Sequence, residues 1–238
     1  MGLIENKVWL SELIKQRKAL EQGPLPDQSH VDGLAALWLD RVRPEEKEQE
    51  PIVLVDHGGH PLSDACVAPR WVCHLLGLRH RAVHVLLLWQ SPGLGPTCVF
   101  QIRSWLKKDF PGYVDISVGG HCTGSMPLLD TALVEMHEEL GISQGDLIHP
   151  GLRYVDSYES LKVHGPTCFY DREWREVYVA HLQSLDAIQF NDHEVIGVVL
   201  CPVSGAAQWL KQEHMSVANG LEMSLPKCLA YLEGEQSD

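Results

Sequence analysis

Between Ser125 and Ile142 the chain places four carboxylates, Asp130, Glu135, Glu138 and Glu139, and no lysine or arginine. The segment 127–140 has a helical pattern, with Leu129, Leu133, Met136 and Leu140 at spacings that predict one inward stripe. Pro127 suits the first turn, and Gly141 suits the left-handed position just past the end. Glu135 then stands one turn before both Glu138 and Glu139, and like charges so spaced each cost about 0.2–0.5 kcal/mol on a surface helix. All three also crowd the last turns, where the aligned peptide dipoles already disfavour anions. Two arrangements account for this. One is a solvated acidic face that tolerates the cost. The other is a divalent cation supplying the missing charge, because three carboxylates within about 100° of arc offer the hard oxygen ligands that Mg²⁺ or Mn²⁺ takes.

The elements that must hold this helix follow from periodicity. Residues 1–50 read as a helical arm and linker: Val8, Leu10, Leu13, Ile14 and Leu20 form an approximate stripe, Gly23-Pro24-Leu25-Pro26-Asp27 breaks it, and a second helix is expected over about 31–42. The charge run 43–50 reads as a solvated linker. From Pro51 the texture changes to short strands, expected at 52–56, 80–89, 97–103, 114–119, 151–157, 176–182 and 194–200, with short helices near 68–76 and 205–213. Strands and helices intermix without a regular βαβ period, so the expected class is α+β, a mixed sheet flanked by helices. The organisation read from this is an arm over 1–50, a domain over 51–215 and a tail over 216–238. Three roles are open to the arm: capping the domain, making a homodimer contact, or closing over a pocket.

Composition narrows the function classes. A net charge of −13 argues against nonspecific binding of nucleic acid or an anionic membrane through the overall field. The longest apolar runs, 82–89 and 195–203, are strand-sized and too short to span a bilayer. The amino terminus has no basic-then-apolar targeting pattern, and the seven cysteines are odd in number and contain no CxxC. Free thiols in a reducing cytoplasm are therefore expected. Asp56-His57-Gly58-Gly59-His60 reads as a turn, and no GxSxG or dinucleotide fingerprint occurs. Trp71, Trp89, Trp105 and Trp174 are spaced as core or pocket-lining residues, one of them available to stack on a substrate base or ring.

From Gly120 to Ile142 the sequence resembles the Nudix box: a Gly, a Glu six residues on, then Arg-Glu-apolar-x-Glu-Glu-x-Gly-apolar. Gly120, Glu135, Met136, Glu138, Glu139, Gly141 and Ile142 stand at that spacing, while Met126 replaces the first Glu and Val134 the Arg. The resemblance extends over about 52–202 and is nearest to the isopentenyl-diphosphate-isomerase-like branch, through Gly77–His84, Arg103-x-x-x-Lys107-Lys108-x-x-Pro111-Gly112, Ser117–His121, Glu176-Val177 and Asn191–Val195. It implies a Nudix-type α/β/α sandwich. It also implies Glu135 and Glu139 as first ligands of Mg²⁺ or Mn²⁺, Glu138 as ligand or base, and Glu176 as a second candidate base. Arg103 and Lys107 would hold a diphosphate. His121 and His80 match metal ligands of the isomerases, Trp174 stands in place of a metal-ligating Glu, and Gly119 in place of the catalytic Cys. Because glycine offers no acid for protonating an alkene, the expected activity is hydrolysis of a small organic or nucleoside diphosphate. A degenerate domain that binds a diphosphate or a protein without turnover is the alternative, and the isomerase comes third.

Overall fold

The computed structural model describes residues 7–62, 66–124, 126–164, 169–212 and 216–235. The amino-terminal residues 1–6, Ser125, Cys168 and the side chain of Val8 lie outside them. The elements in chain order are α1 (Lys7–Gln22), α2 (Gln28–Val42), β1 (Pro51–Val53), β2 (Val67–Pro69), α3 (Arg70–Leu76), β3 (His80–Ser91), β4 (Gly95–Arg103), β5 (Val114–Asp115), β6 (Val118–His121), α4 (Leu128–Leu140), β7 (Arg153–His164), β8 (Phe169–Leu182), β9 (Val195–Pro202), α5 (Val203–Trp209) and α6 (Asn219–Glu235). One sheet pairs β1 with β2, and a seven-stranded sheet runs β5-β4-β3-β8-β7, with β6 beside β3 and β9 beside β4. The α+β class is the one expected. Among the described residues no helix is long and apolar enough to cross a membrane.

The residues group into two compact units. The first comprises 1–82, 121–127 and 158–175. Here α2 begins three residues before its expected start, because the Asp27 side chain accepts the His30 N–H at 2.8 Å and caps the first turn. Leu13, Val31, Leu34 and Trp38 of the arm share one core cluster with Ile52, Leu54, Trp71, Val72 and Leu76. The Arg17 guanidinium donates twice to the Leu75 carbonyl, at 2.8 and 2.6 Å, filling an acceptor that the end of α3 leaves open. Six of the seven residues of α3 are buried, and Gly77 closes the helix at φ 69°. The Asp56–His60 stretch is the expected turn, with Asp56 accepting the N–H groups of Gly58 and His60.

The second unit comprises 83–120, 128–157 and 176–238. Val85, Leu86, Leu87 and Leu88 are consecutive and all buried, so β3 is covered on both faces. β4 pairs antiparallel with β3 (Leu87↔Val99), with β5 (Gln101↔Asp115) and with β9 (Val99↔Leu200). The strand expected over 114–119 is two strands, β5 and β6. Ser117 interrupts them: its hydroxyl oxygen accepts the Leu87 N–H at 2.7 Å and its proton goes to the Val99 carbonyl. A side chain there replaces a rung of the backbone ladder. The tail is largely one helix, α6, which buries Leu221, Leu225 and Cys228.

The inward face of α4 differs from the expected stripe. Leu129 is 44% exposed, whereas Leu128, Ala132, Met136, Glu139 and Leu140 are buried. Met136 and Leu140 face inward as expected, but the buried face is turned by roughly 60° toward Leu128 and Ala132, and this turn carries a glutamate into the core.

Candidate metal centres

Two clusters of ligand-type side chains stand out, one in each unit. In the second unit α4 turns Glu135 and Glu139 inward toward the Gly119-Gly120 backbone. Glu139 is only 2% exposed, and its Oε2 accepts from Gln101 Nε2 at 3.2 Å and from the Gly119 N–H at 3.4 Å. Burial pushes its carboxyl well above the usual carboxylate range; Lys107 pulls the other way, and Glu135, Glu194 and Asp192 push it higher still. Gly120 makes the close approach feasible, since a β-carbon there would overlap the Glu135 carboxyl group. Glu138 points to solvent.

The two cations expected to hold phosphate are both engaged. Arg103 donates to Asp115 at 3.2 Å and lies 3.1 Å from the Asp109 carboxylate, while Lys107 pairs with Glu194. Burial works against the Arg103 charge, but Asp109, Asp115, Glu139 and Glu194 together raise its pKa. Glu176, on β8, is half-buried and accepts the Tyr178 hydroxyl proton.

The first unit holds a cluster that the sequence shows only in part. His74 of α3, His80 at the start of β3 and His121 at the end of β6 place their ring centroids 5.1–5.2 Å apart. Asp171 and Glu173 project from β8 on the same face, two residues apart. His121 Nε2 lies 3.1 Å from Glu173 Oε1, and Asp171 Oδ1 lies 3.6 Å from His74 Nε2 and 3.5 Å from His80 Nε2. His80 Nδ1 sits 2.8 Å from the Leu78 carbonyl, so it carries the proton and leaves Nε2 as a bare lone pair. Neither His74 Nε2 nor His80 Nε2 finds a hydrogen-bond partner among the described residues. A buried lone pair facing carboxylate oxygens is repelled unless a cation lies between them.

Electrostatics supports that fit. Burial lowers all three histidines, His80 to about 3, so they are neutral at physiological pH, the form that could bind a metal. Burial tends to raise Glu173, yet Arg175, His121 and His80 overcome it and hold the group well below the usual range. Three imidazoles with carboxylates suit Mn²⁺, Fe²⁺ or Zn²⁺. The all-oxygen pair Glu135 and Glu139 suits Mg²⁺ or Mn²⁺.

No protein-family model matches the chain. It is 29% identical over 154 residues to Nudix hydrolase 3 of Arabidopsis thaliana, which covers 61% of this chain and 18% of that protein. It is 34% identical over 109 residues to an uncharacterized Nudix hydrolase of Pseudomonas aeruginosa, covering 46% of this chain and 60% of the other. The chain thus matches less than two thirds of the length of either relative. The sequence is thus similar to part of each of these Nudix hydrolases. Its fold is shared with a crystal structure from Deinococcus radiodurans at a TM-score of 0.53 and 17% identity, over 75% of this chain and 99% of that one.

In Nudix-box terms, the structure brings Glu135 and Glu139 together against Gly119-Gly120 and leaves Glu138 on the outer face. His121 belongs with His74, His80, Asp171 and Glu173. Sequence reasoning missed His74, Asp171 and Glu173. The available signal was the alternation Asp171-x-Glu173-x-Arg175 on a strand, which puts three charged groups on one face; β8 begins at Phe169, seven residues before its expected start. Where the expected ion pair of the box is absent, Cys122 Sγ contacts the Met126 carbonyl at 3.0 Å and ties the loop by other means.

The Gly120 contact gives a direct test of the carboxylate cradle. Because the overlapping atoms belong to the end of a flexible side chain, Gly120→Ala is expected to fold while swinging Glu135 aside. Calorimetric titration with Mg²⁺ should show about 10- to 100-fold weaker binding, the loss typical of misplacing a ligand's support. Unchanged affinity would mean that Glu135 is not a ligand.

Proposed function

We propose that the chain is a Mg²⁺- or Mn²⁺-dependent hydrolase that cleaves the diphosphate linkage of a small organic or nucleoside diphosphate. The observation that carries this reading is Glu139, a buried carboxylate held beside Glu135 and aimed at a glycine backbone. Glu135 and Glu139 would hold the ion, with Glu138 as further ligand or base. When bound, the ion polarises the phosphates and lowers the pKa of a water. Arg103 and Lys107, already oriented by carboxylates, would exchange those partners for phosphate oxygens and fix the diphosphate. Glu176, oriented by Tyr178, is a second candidate base. The free cysteines among the described residues support a reducing compartment, the cytoplasm, and the net charge of −13 supports a small-molecule partner over nucleic acid. Incubation with Mg²⁺ and a panel of nucleoside and aliphatic diphosphates should release phosphate. Tight binding without release would instead favour the degenerate, ligand-binding reading.

The His74–His80–His121 cluster favours a second reading for metal occupancy, the isopentenyl-diphosphate-isomerase-like branch. His80 and His121 are the two ligands that the resemblance implies, and Glu173 supplies the carboxylate that Trp174 cannot. Gly119 still has no group to donate a proton. Conversion of isopentenyl to dimethylallyl diphosphate is therefore not expected, and detecting it would overturn this assignment.

A further inference from the structure

Gln101 stands on β4 between Asp115 of β5 on one side and Val198 of β9 on the other, and it is 1% exposed. A strand position covered this completely ordinarily takes an apolar residue, because burying an amide is costly unless both of its ends are hydrogen-bonded. One end is. Nε2 donates to Glu139 Oε2 at 3.2 Å, and the Gly119 N–H reaches the same oxygen at 3.4 Å. Two donors use both lone pairs of Oε2, so Oε1 is the oxygen that Glu139 can offer to an ion. The other end of the amide is different: Gln101 Oε1 is buried and has no hydrogen-bond partner among the described residues. Leucine would fill the strand without that cost. An acceptor placed beside the buried acid therefore has a reason outside the packing of the sheet, and what answers an acceptor is a donor.

We propose that Gln101 is a positioning residue of the carboxylate cation site, fixing Glu139 through Nε2 and accepting through Oε1 a hydrogen bond from a water that Mg²⁺ keeps when Glu135 and Glu139 hold it. The inference rests on the carboxylate site of the hydrolase reading and adds the residue that sets how the ion is held. Mg²⁺ demands an octahedron of oxygens and gives up water reluctantly, so two carboxylates leave much of its shell to water. Such waters are strong donors, and a fixed acceptor orients them as outer partners orient ligands. A neutral amide oxygen supplies that acceptor without adding a further negative charge beside Glu135 and Glu139.

The test measures Mg²⁺ binding by calorimetric titration, and melting temperature with EDTA and with Mg²⁺, for wild type, Gln101→Leu, Gln101→Met and Gln101→Glu. Leu and the unbranched Met fill the strand but carry neither amide atom. The Mg²⁺ affinity of each should fall by about 10- to 100-fold, and the gain in melting temperature with Mg²⁺ should shrink. Gln101→Glu keeps the acceptor and should bind Mg²⁺ at least as tightly as wild type, although it melts lower with EDTA. An amide with a structural role only would change melting with EDTA and leave the Mg²⁺ affinity of the apolar variants as in wild type, and that result would overturn the proposal. So would an affinity of Gln101→Glu below that of wild type, which decides the matter if neither apolar variant folds. Wild type that binds Mg²⁺ but releases no phosphate from any diphosphate ends the hydrolase reading by itself, and the variants still decide the role of Gln101. No Mg²⁺ binding by wild type overturns the proposal whatever the activity.

Discussion

Glu139→Gln is expected to cut the proposed diphosphate cleavage by more than about 100-fold while making the metal-free protein more stable at neutral pH. The two effects have one cause. In the folded chain the Glu139 carboxyl holds its proton well above the ordinary carboxylate range, chiefly because it is buried and also because Glu135, Glu194 and Asp192 add negative charge. As pH rises past the unfolded value of roughly 4.3, the unfolded chain gives up this proton before the folded one does, so folding stability falls until the folded group has titrated too. Glutamine has the same shape and no charge, and it escapes that penalty. A cation removes the penalty differently, by supplying the charge that α4 lacks. With EDTA at pH 7.5 the melting temperature of Glu139→Gln should exceed that of wild type, at roughly 2–4 °C per kcal/mol for a chain of this size. With millimolar Mg²⁺ the wild type should gain and the variant should not. Its kcat/KM should fall by more than about 100-fold, beyond the loss expected for an outer-sphere partner. A variant that keeps wild-type turnover, or that gains as much from Mg²⁺ as the wild type does, would remove Glu139 from the metal site.

How this acid came to be buried also shows how far the sequence could be read. The helix itself, its closure at Gly141 and the preceding Gly119-Gly120 are local patterns, and all are present as expected. The inward face was misjudged because Leu129 and Leu133 outrank Glu139 on any scale that sends apolar residues inside. The structure sends Leu129 to solvent and Glu139 to the core, a local rule broken where function would require it. In the arm, α1 and α2 were legible from their stripe and from the Gly23–Asp27 break. Their sharing of a core with Ile52 and Trp71 was not, since nothing local distinguishes a helix that packs from one that projects. The histidine cluster was hidden for a related reason. His74 and Asp171 are 97 residues apart on elements joined only by tertiary structure. The run Asp171–Glu176 has no apolar alternation to mark a strand: five of its six residues are charged, and its period of two shows only in which of them are buried. Trp174 consequently stood out as a missing ligand although Glu173, one residue earlier, faces His121.

The same cluster makes the first unit sensitive to acid. His74, His80 and His121 are all lowered from 6.5, by burial before anything else and then by neighbouring positive charge: His121 for His74 and His80, Arg70 for His121. A histidine that titrates lower when folded contributes no penalty above about pH 6.5. Below that, the unfolded chain takes up the proton first and stability drains away, for His80 across the interval from 6.5 to about 3. Glu173 acts in the same direction: held low by Arg175 and the histidines, it stabilises the fold above its ordinary value and loses that contribution as pH falls below about 4.3. All three histidines lose stability in the same direction below about pH 6.5, so their losses reinforce one another between pH 7 and pH 5. Urea denaturation with EDTA should therefore show a midpoint that falls steeply between pH 7 and pH 5, and His80→Gln should flatten that slope. Zn²⁺ binding requires neutral imidazoles, so this ion should raise the melting temperature at pH 7.5, do far less at pH 5, and lose its effect in a His74→Ala, His121→Ala double variant. A midpoint that is level across this range, together with identical metal responses in wild type and the double variant, would show that the three rings are packing residues and nothing more.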